Sequence, residues 1–252
     1  MTNHDKNATG ATTRPHRLTR RSFVAGVGAM GALGVLGSFG LTGCAPSGDT
    51  AAGGSGAGEG TSESYDAVII GAGGAGLSAA IAAYDKGLTN IVILEKMAVN
   101  GGNTNFSSSG MNASETKFQK EQGIEDSNDL FAQETLDGGH NTGDPELVQF
   151  MCDNSAGAID WLDSLGIKLD NITLTGGMSV KRCHRPTDGS AVGLTLVPGL
   201  VAAAEERGIP TKMSCEAKEL VKDGDAVTGV KVDLDGKDTT INARMTALAL
   251  IV

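Results

Sequence analysis

Cysteine and proline are scarce in this 252-residue chain, which contains four cysteines and six prolines. No two cysteines have the C-x-x-C spacing, so the sequence predicts no metal site and no disulfide framework, and without C-x-x-C-H it offers no attachment point for a c-type haem. The few prolines and the lack of a G-X-Y period exclude collagen and Pro-rich disorder. Basic residues are also in deficit, with 20 Lys and Arg against 30 Asp and Glu, which argues against nucleic acid as a partner.

The charge is distributed unevenly, because residues 1–43 contain five Lys and Arg but a single Asp. A pair of arginines precedes the uncharged, glycine-rich residues 23–41, and the sequence LTGC ends at Cys44. This order resembles a twin-arginine lipoprotein signal peptide over residues 1–43. The resemblance implies export, cleavage before Cys44, a lipid on Cys44, and anchoring to the outer face of the cytoplasmic membrane. Two alternatives stay open: an uncleaved membrane anchor over residues 23–41, and a cytosolic protein.

Large apolar side chains are absent from the next stretch, residues 44–63, most of which is glycine, serine or alanine. Such a composition buries too little surface to offset the entropy of ordering the chain, so we expect a flexible tether. The folded part is therefore predicted to span residues 64–252.

The folded part begins with the pattern strand, glycine turn, helix, strand. Residues 65–70 and 91–94 are short apolar runs rich in β-branched side chains, which is typical of buried parallel strands. The turn between them reads GAGGAG at 71–76 and leads into a helix former that ends at Gly87. In this pattern Gly71 permits a sharp turn, Gly73 lets the backbone approach a pyrophosphate, and Gly76 allows the helix to pack closely on the strand.

A dinucleotide is the ligand that this pattern predicts. Its phosphates would lie at the helix N-terminus, beside Gly74 and Ala75, where the backbone N–H groups point outward. Glu95 ends the second strand, and a carboxylate at that point accepts hydrogen bonds from ribose hydroxyls, with Lys96 beside it. The alternative is a tight turn that binds nothing.

A long polar loop, GGNTNFSSSGMNA at 101–113, follows the acidic residue. It is similar to the stretch G-G-N-T-x-x-S-x-G-G-M-N-A of the fumarate reductase and succinate dehydrogenase superfamily, especially its flavocytochrome-type fumarate reductases, with Ser109 replacing one glycine. The resemblance implies that the dinucleotide is FAD. It also implies FAD contacts from six loop residues, namely Gly102, Asn103, Thr104, Ser107, Gly110 and Met111. The alternative is a solvated surface loop.

The same stretch predicts how FAD is held. Respiratory members of the superfamily attach FAD covalently through a histidine in the segment H-T-x-x-x-x-G-G-x-N-A. Asn103 stands at the position of that histidine, and an amide cannot form the bond. We therefore expect noncovalent FAD.

A second stretch, VKRCHRPTDG at 180–189, is similar to the segment R-x-H-R-P-T-G-G of the flavocytochrome-type enzymes, with Asp188 in place of a glycine. That segment approaches the flavin, so the resemblance places His184 and Arg185 on the flavin or substrate side. Together with Arg182, these residues predict an anionic partner, either FAD phosphates or a dicarboxylate. The alternative is a surface cluster screened by salt.

The remaining sequence predicts helices over residues 115–122, 127–136 and 145–165, the last with Asp144 as its N-cap. An apolar stripe of the third helix is predicted to be core, namely Leu147, Phe150, Ile159, Trp161, Leu162 and Leu165.

Two strands, 218–222 and 226–232, flank a DGD turn and predict a β-meander. By the resemblance, Glu216 and Ala217 lie near the adenine. The predicted fold class is α/β: a Rossmann-like FAD-binding domain of the glutathione-reductase type with a β-meander.

The resemblance covers about residues 64–243. From Arg244 onward the chain departs from the family, whose next strand leads to A-T-G-G. We therefore expect a C-terminally truncated chain, an FAD domain incomplete at its C-terminus, and poor stability of the isolated chain. The family's proton-donating arginine lies in a part without a counterpart here, so no catalytic residue is assigned.

The activity that the resemblance implies is FAD-dependent reduction of an activated C=C bond in a small carboxylate, by hydride transfer from the flavin. A separate membrane or haem protein would donate the electrons. Two alternatives stay open: a dehydrogenase acting on a ketosteroid or another enoate, and a non-enzymatic flavin-binding lipoprotein or inactive remnant.

Overall fold

The structure, a computed structural model, describes residues 63–250. The expected signal peptide, the lipidation site Cys44 and the tether up to residue 62 lie outside the described residues. Glu63, which was assigned to the tether, is instead the first residue of a strand. Within residues 63–250, no helix combines the length and the apolar character that crossing a membrane would require.

The described chain forms nine strands and five α-helices. The strands are β1 (Glu63–Ile70), β2 (Ile91–Leu94), β3 (Met111–Asn112), β4 (Asn171–Thr173), β5 (Cys183–Arg185), β6 (Thr211–Lys212), β7 (Cys215–Asp223), β8 (Ala226–Leu234) and β9 (Lys237–Leu248). The helices are α1 (Gly74–Asp85), α2 (Lys117–Glu121), α3 (Asn128–Gly138), α4 (Pro145–Ser164) and α5 (Gly193–Glu206), with a short 3-10 helix at Gly102–Phe106.

Six strands form the main sheet, in the order β6-β2-β1-β9-β8-β7. β1 pairs in parallel with β2 on one side and with β9 on the other, and β2 pairs in parallel with β6. β7, β8 and β9 form an antiparallel meander whose first hairpin turns at Gly224, where φ is 59°. The predicted Rossmann-like core with a β-meander is confirmed.

Both faces of β1 are buried, which explains its unbroken apolar run. Ala67 and Ile69 pack into the cluster that includes α1 and α5, while Val68 and Ile70 pack on the opposite face with residues of the meander. Alternate residues of a strand point to opposite faces, so a strand covered on both sides is apolar at every position.

The last strand of the meander, β9, continues past residue 243, which is the point where the resemblance was predicted to end. β9 first pairs with β8 and then continues beside β1 as far as the pair Ile70 and Leu248. The physical reason is that the edge of β1 offers N–H and C=O groups that residues 244–248 satisfy. The sequence predicts a meander strand over residues 239–243, and the structure extends it beside β1 through residues 244–248.

The three-stranded sheet β3-β5-β4 is antiparallel, and Ile172 of β4 shares a core cluster with Phe118 of α2 and Ile159 of α4. A capping box begins α2, because the Thr116 hydroxyl accepts the Gln119 N–H and the Gln119 side chain accepts the Thr116 N–H. At the start of α4, Asp144 caps the N–H groups of Glu146 and Leu147, as predicted.

The predicted core stripe of α4 is correct only in its C-terminal half. Ile159 and Leu162 are buried, but Leu147 and Phe150 are 67% and 66% exposed. The buried face of α4 follows the spacing Cys152, Ser155, Ile159 and Leu162. Leu147 and Phe150 lie on a different face of the helix, so the sequence pattern combined two apolar faces into one.

Candidate functional site

The turn between β1 and α1 needs glycine at two positions for reasons internal to the fold. Gly71 has φ of 107°, and a Cβ there would lie 2.6 Å from the Ala249 carbonyl oxygen. A Cβ on Gly76 would overlap the Gly71 carbonyl oxygen. Gly71 thus permits the turn and Gly76 permits close packing of α1 on β1, in agreement with the roles predicted for them.

Gly73 differs because nothing inside the described chain requires it to be glycine. Its backbone is extended, with φ of −78°, and the nearest atom to an added Cβ would be the Gly101 carbonyl oxygen at 3.6 Å. Gly73 is also the N-cap of α1, and it has no side chain to accept the N–H groups of the first turn. The positive end of α1, whose first turn is exposed at Ala75, fits a pyrophosphate.

The predicted FAD loop lies directly over the α1 N-terminus. Gly101 forms an isolated parallel bridge with Gly73 and donates its N–H to the Ala72 carbonyl at 2.8 Å. The Thr104 hydroxyl accepts the Gly74 N–H at 3.0 Å. Three of the predicted loop contacts are exposed beside this junction, namely Gly102, Asn103 and Ser107, as is Ala75 in the first turn of α1.

Glu95 is 7% exposed and ties the end of β2 to the glycine turn. One carboxylate oxygen accepts the Ala72 N–H at 2.9 Å, and the other accepts the Met97 N–H at 2.9 Å. Since each carboxylate oxygen accepts two hydrogen bonds, both retain capacity for a ribose hydroxyl. Lys96 is exposed beside it.

Ala217 lies on β7, the strand that follows the contact with the end of β2. β7 begins at Cys215, whose N–H donates to the Glu95 carbonyl at 2.9 Å, and Ser214 donates to the Met97 carbonyl at 3.1 Å. Ala217 is therefore two residues along β7 from the residue that contacts Glu95, and its place near the adenine stays a prediction.

Gly110 and Met111 form the link between the loop and the second matched stretch. Met111 of β3 pairs with His184 of β5. A Cβ on Gly110 would overlap the His184 carbonyl oxygen, so the close approach of the two strands explains this glycine. Met111 is half-buried.

The side chain of His184 does not face a ligand, which corrects the prediction for this residue. It is fully buried, and both ring nitrogens are engaged, Nδ1 with the Arg182 carbonyl and Nε2 with the Thr116 hydroxyl, each at 2.8 Å. A carbonyl only accepts, so Nδ1 carries the proton and Nε2 accepts from Thr116. Burial lowers the pKa of this neutral imidazole from its ordinary value of 6.5.

Arg182 has its anionic partners inside the protein, which corrects the prediction that it faces FAD or a substrate. Its guanidinium is fully buried and forms hydrogen bonds with both oxygens of Asp126, at 2.7 and 3.0 Å, and with Glu134 at 2.5 Å. Among Arg182, His184 and Arg185, it is Arg185 whose side chain is not fully paired within the described residues. Its Nε has no hydrogen-bond partner within residues 63–250, and its Nη2 reaches only the Ser190 carbonyl at 3.4 Å.

One residue that supports the loop, Gly193, was not predicted from the sequence. A Cβ on Gly193, at the start of α5, would overlap the Thr104 carbonyl oxygen, and the Gly193 N–H donates to the Ser107 carbonyl at 3.0 Å. The start of α5 thus supports the 3-10 helix that carries Asn103 and Thr104. The signal was a lone glycine before an apolar helix, which by itself indicates nothing specific.

The buried His184 predicts a pH dependence of stability. Because its pKa is lowered in the folded state, the unfolded state binds more protons below pH 6.5, and the free energy of unfolding should fall as pH decreases from 6.5. Acidic groups with lowered pKa, such as Glu134, act only near and below 4.5. Urea unfolding at about pH 7.5 and about pH 5.5 should therefore show a loss that the His184→Gln variant lacks. An equal loss in both proteins would contradict this.

These features define a dinucleotide-binding α/β domain, in which a glycine turn, a helix N-terminus and the Glu95 carboxylate meet at one edge of a parallel sheet. A family model described as "FAD binding domain" matches residues 66–250, and the chain belongs to this family. The match extends beyond residue 243, where the resemblance was predicted to end, in agreement with the continued pairing of β9.

The chain is also similar to named enzymes and to a solved structure. It is 51% identical to the NADH:fumarate oxidoreductase of Klebsiella pneumoniae (strain 342) over 176 residues, which are 70% of this chain and 19% of the relative. It is 40% identical to the fumarate reductase (cytochrome) of Shewanella frigidimarina over 161 residues, 64% of this chain and 28% of the relative. The open conformation of a flavocytochrome c3 fumarate reductase matches with a TM-score of 0.72 at 36% identity, covering 75% of this chain and 34% of that structure.

The chain thus spans about a fifth to a third of the length of these relatives. FAD is the cofactor of the family, and the described residues fit it. The glycine N-cap of α1 and the exposed Ala75 in its first turn suit the pyrophosphate, and Glu95 suits the ribose. The chemistry of these groups therefore agrees with the family assignment.

Proposed function

We propose that this chain is the FAD-binding segment of an oxidoreductase that reduces the activated C=C bond of a small carboxylate, with fumarate as its first candidate. The observation that carries the proposal is the 51% identity with an NADH:fumarate oxidoreductase across 176 residues, which are 70% of this chain. Bound FAD would supply hydride-transfer chemistry.

The residues of this chain bind and orient the cofactor. The α1 N-terminus, from Gly73 to Ala75, would hold the negative charge of the pyrophosphate, and Glu95 would hold the ribose. Thr104, anchored on the Gly74 N–H, fixes the loop that carries Asn103. The half-buried Arg185 offers a cation on the strand next to Met111, where it would attract a carboxylate. No residue of this chain is assigned as the proton donor.

A turnover assay tests the proposed reaction. The purified protein that contains this chain, loaded with FAD, should oxidise reduced methyl viologen when fumarate is added and should not do so with succinate. A protein that binds FAD but leaves the dye reduced with every α,β-unsaturated carboxylate supplied would contradict the proposed reaction and leave the FAD site intact.

Noncovalent attachment of FAD is part of the same proposal. Asn103 is exposed on the 3-10 helix, and its amide cannot form the bond that histidine forms at this position of respiratory relatives. Acid precipitation of the loaded protein should therefore leave the yellow flavin in the supernatant. Flavin that stays with the precipitated polypeptide would show that the attachment is covalent.

We also propose that the protein is exported by the twin-arginine route, anchored by a lipid on Cys44, and supplied with electrons by a separate membrane or haem protein. The support is the basic, glycine-rich pattern of residues 1–43 and the tether that follows it. Replacing Cys44 with alanine should move the protein from the membrane fraction to the soluble fraction. Unchanged membrane retention would exclude the lipid anchor.

A further inference from the structure

An exposed apolar stripe lies on the N-terminal half of α4. It consists of Leu147, Phe150 and Met151, which are 67%, 66% and 46% exposed. Their spacing of three and four residues places them on one face of the helix, away from the buried face that contains Cys152. Phenylalanine and methionine are enriched at the centres of protein interfaces, where large apolar side chains are shielded by a partner.

Acidic groups lie along one side of this stripe and at its N-terminal end. Residues 127–165, which contain α3 and α4, include eight Asp and Glu and no Lys or Arg. On α4, Glu146 and Asp153 lie seven residues apart along the side of the stripe, and Asp144 lies at its N-terminal end. Within residues 63–250, no Lys or Arg forms a salt bridge with these three acids, whereas Asp160 and Asp163 further along α4 are paired with Lys117.

The charge decides between the occupants of such a surface. A second copy of the same face would bring two sets of acids together, and an anionic membrane would be repelled for the same reason. A polypeptide with an apolar centre and a rim of Lys and Arg would be attracted to the acids and would cover Phe150. We infer that the α4 stripe is a docking surface for a basic protein partner.

The first test asks whether the stripe is open in the complete protein. Met151 should be oxidised by dilute hydrogen peroxide as rapidly as Met97, which is 53% exposed and lies elsewhere on the surface. Peptide mass spectrometry measures both sulfoxides in the same sample. If Met151 is protected while Met97 is oxidised, another segment of the same polypeptide covers the stripe and the inference is wrong.

The second test measures binding of a defined probe, a synthetic amphipathic helix with Leu on one face and Lys on the other. Its affinity should fall about tenfold in Phe150→Ser and in the double variant E146K/D153K, and it should weaken with salt. Leu174→Ser, which changes an apolar residue that is 55% exposed at another place, should leave the affinity unchanged. A probe that binds the Phe150 and acid variants as tightly as the unmodified protein would overturn the inference.

Two further measurements test the other occupants of the stripe, which are a second copy of the chain and a membrane. Sedimentation of the protein alone should give the same result with and without Phe150→Ser. A dimer that the substitution abolishes would show that the stripe is a contact between two copies. Flotation with vesicles of phosphatidylcholine and phosphatidylglycerol should likewise show no binding that depends on Phe150. Either dependence would overturn the assignment of a basic protein partner.

Discussion

Gly76→Ala should abolish FAD binding and lower the free energy of unfolding by about 3 kcal/mol. The added Cβ would overlap the Gly71 carbonyl oxygen, which is backbone and cannot move aside as a flexible side chain would. Helix α1 must therefore move away from β1, and its N-terminus moves with it. Because the pyrophosphate depends on that N-terminus, binding and stability should fall together. Flavin fluorescence titration and urea unfolding measure the two effects.

Gly157→Ala is the matched control for this substitution. Gly157 lies inside α4, and nothing comes within 4 Å of an added Cβ. The same change there should raise stability by up to about 1 kcal/mol through helix propensity and leave FAD affinity unchanged. If Gly76→Ala bound FAD as tightly as Gly157→Ala, the close packing of α1 on β1 would not be what positions the cofactor.

Arg182→Met should cost about 3–5 kcal/mol of stability. The substitution removes the buried cation and leaves Asp126, whose side chain is fully buried, and Glu134, 18% exposed, without their partner. It also removes the contact of the guanidinium with the Phe131 ring, whose centroid lies 5.0 Å away. Since Arg182 connects β5 with α3, thermal unfolding should begin at a clearly lower temperature.

Arg207→Met provides the comparison for a surface pair. Arg207 forms hydrogen bonds with Asp85 at 2.7 and 3.1 Å, but the Asp85 side chain is 42% exposed. Water replaces the lost partner there, so the cost should stay below about 1 kcal/mol. Equal losses for the two variants would mean that the burial of Arg182 does not determine its contribution.

The nucleotide-binding part of the fold could be predicted because its signals are local. An apolar run, a glycine turn and a carboxylate at the next strand end are each defined by neighbours in the chain, and the structure brings Gly73 and Glu95 to one edge of the sheet. The cap of α4 at Asp144 is local in the same way. The spacing of such signals predicts both structure and ligand class.

The corrected residues depend on contacts that are distant in sequence. Its sequence neighbours alone make Arg182 look like part of a surface cluster. In the folded chain it binds Asp126 and Glu134, which are 56 and 48 residues away. His184 is similarly determined by Thr116, 68 residues away. The direction of Phe150 depends on which face of α4 packs against α3. None of these partners can be identified from the spacing of residues around the side chain itself.

Equilibrium titration of the purified protein that contains this chain with FAD, followed by flavin fluorescence, tests the FAD site most directly. We expect saturable binding of one FAD per chain, weakened by Glu95→Ala and not displaced by NAD added in excess. A folded chain that leaves FAD fluorescence unchanged, or that binds NAD in preference, would contradict the assignment of the glycine turn and Glu95 as an FAD site.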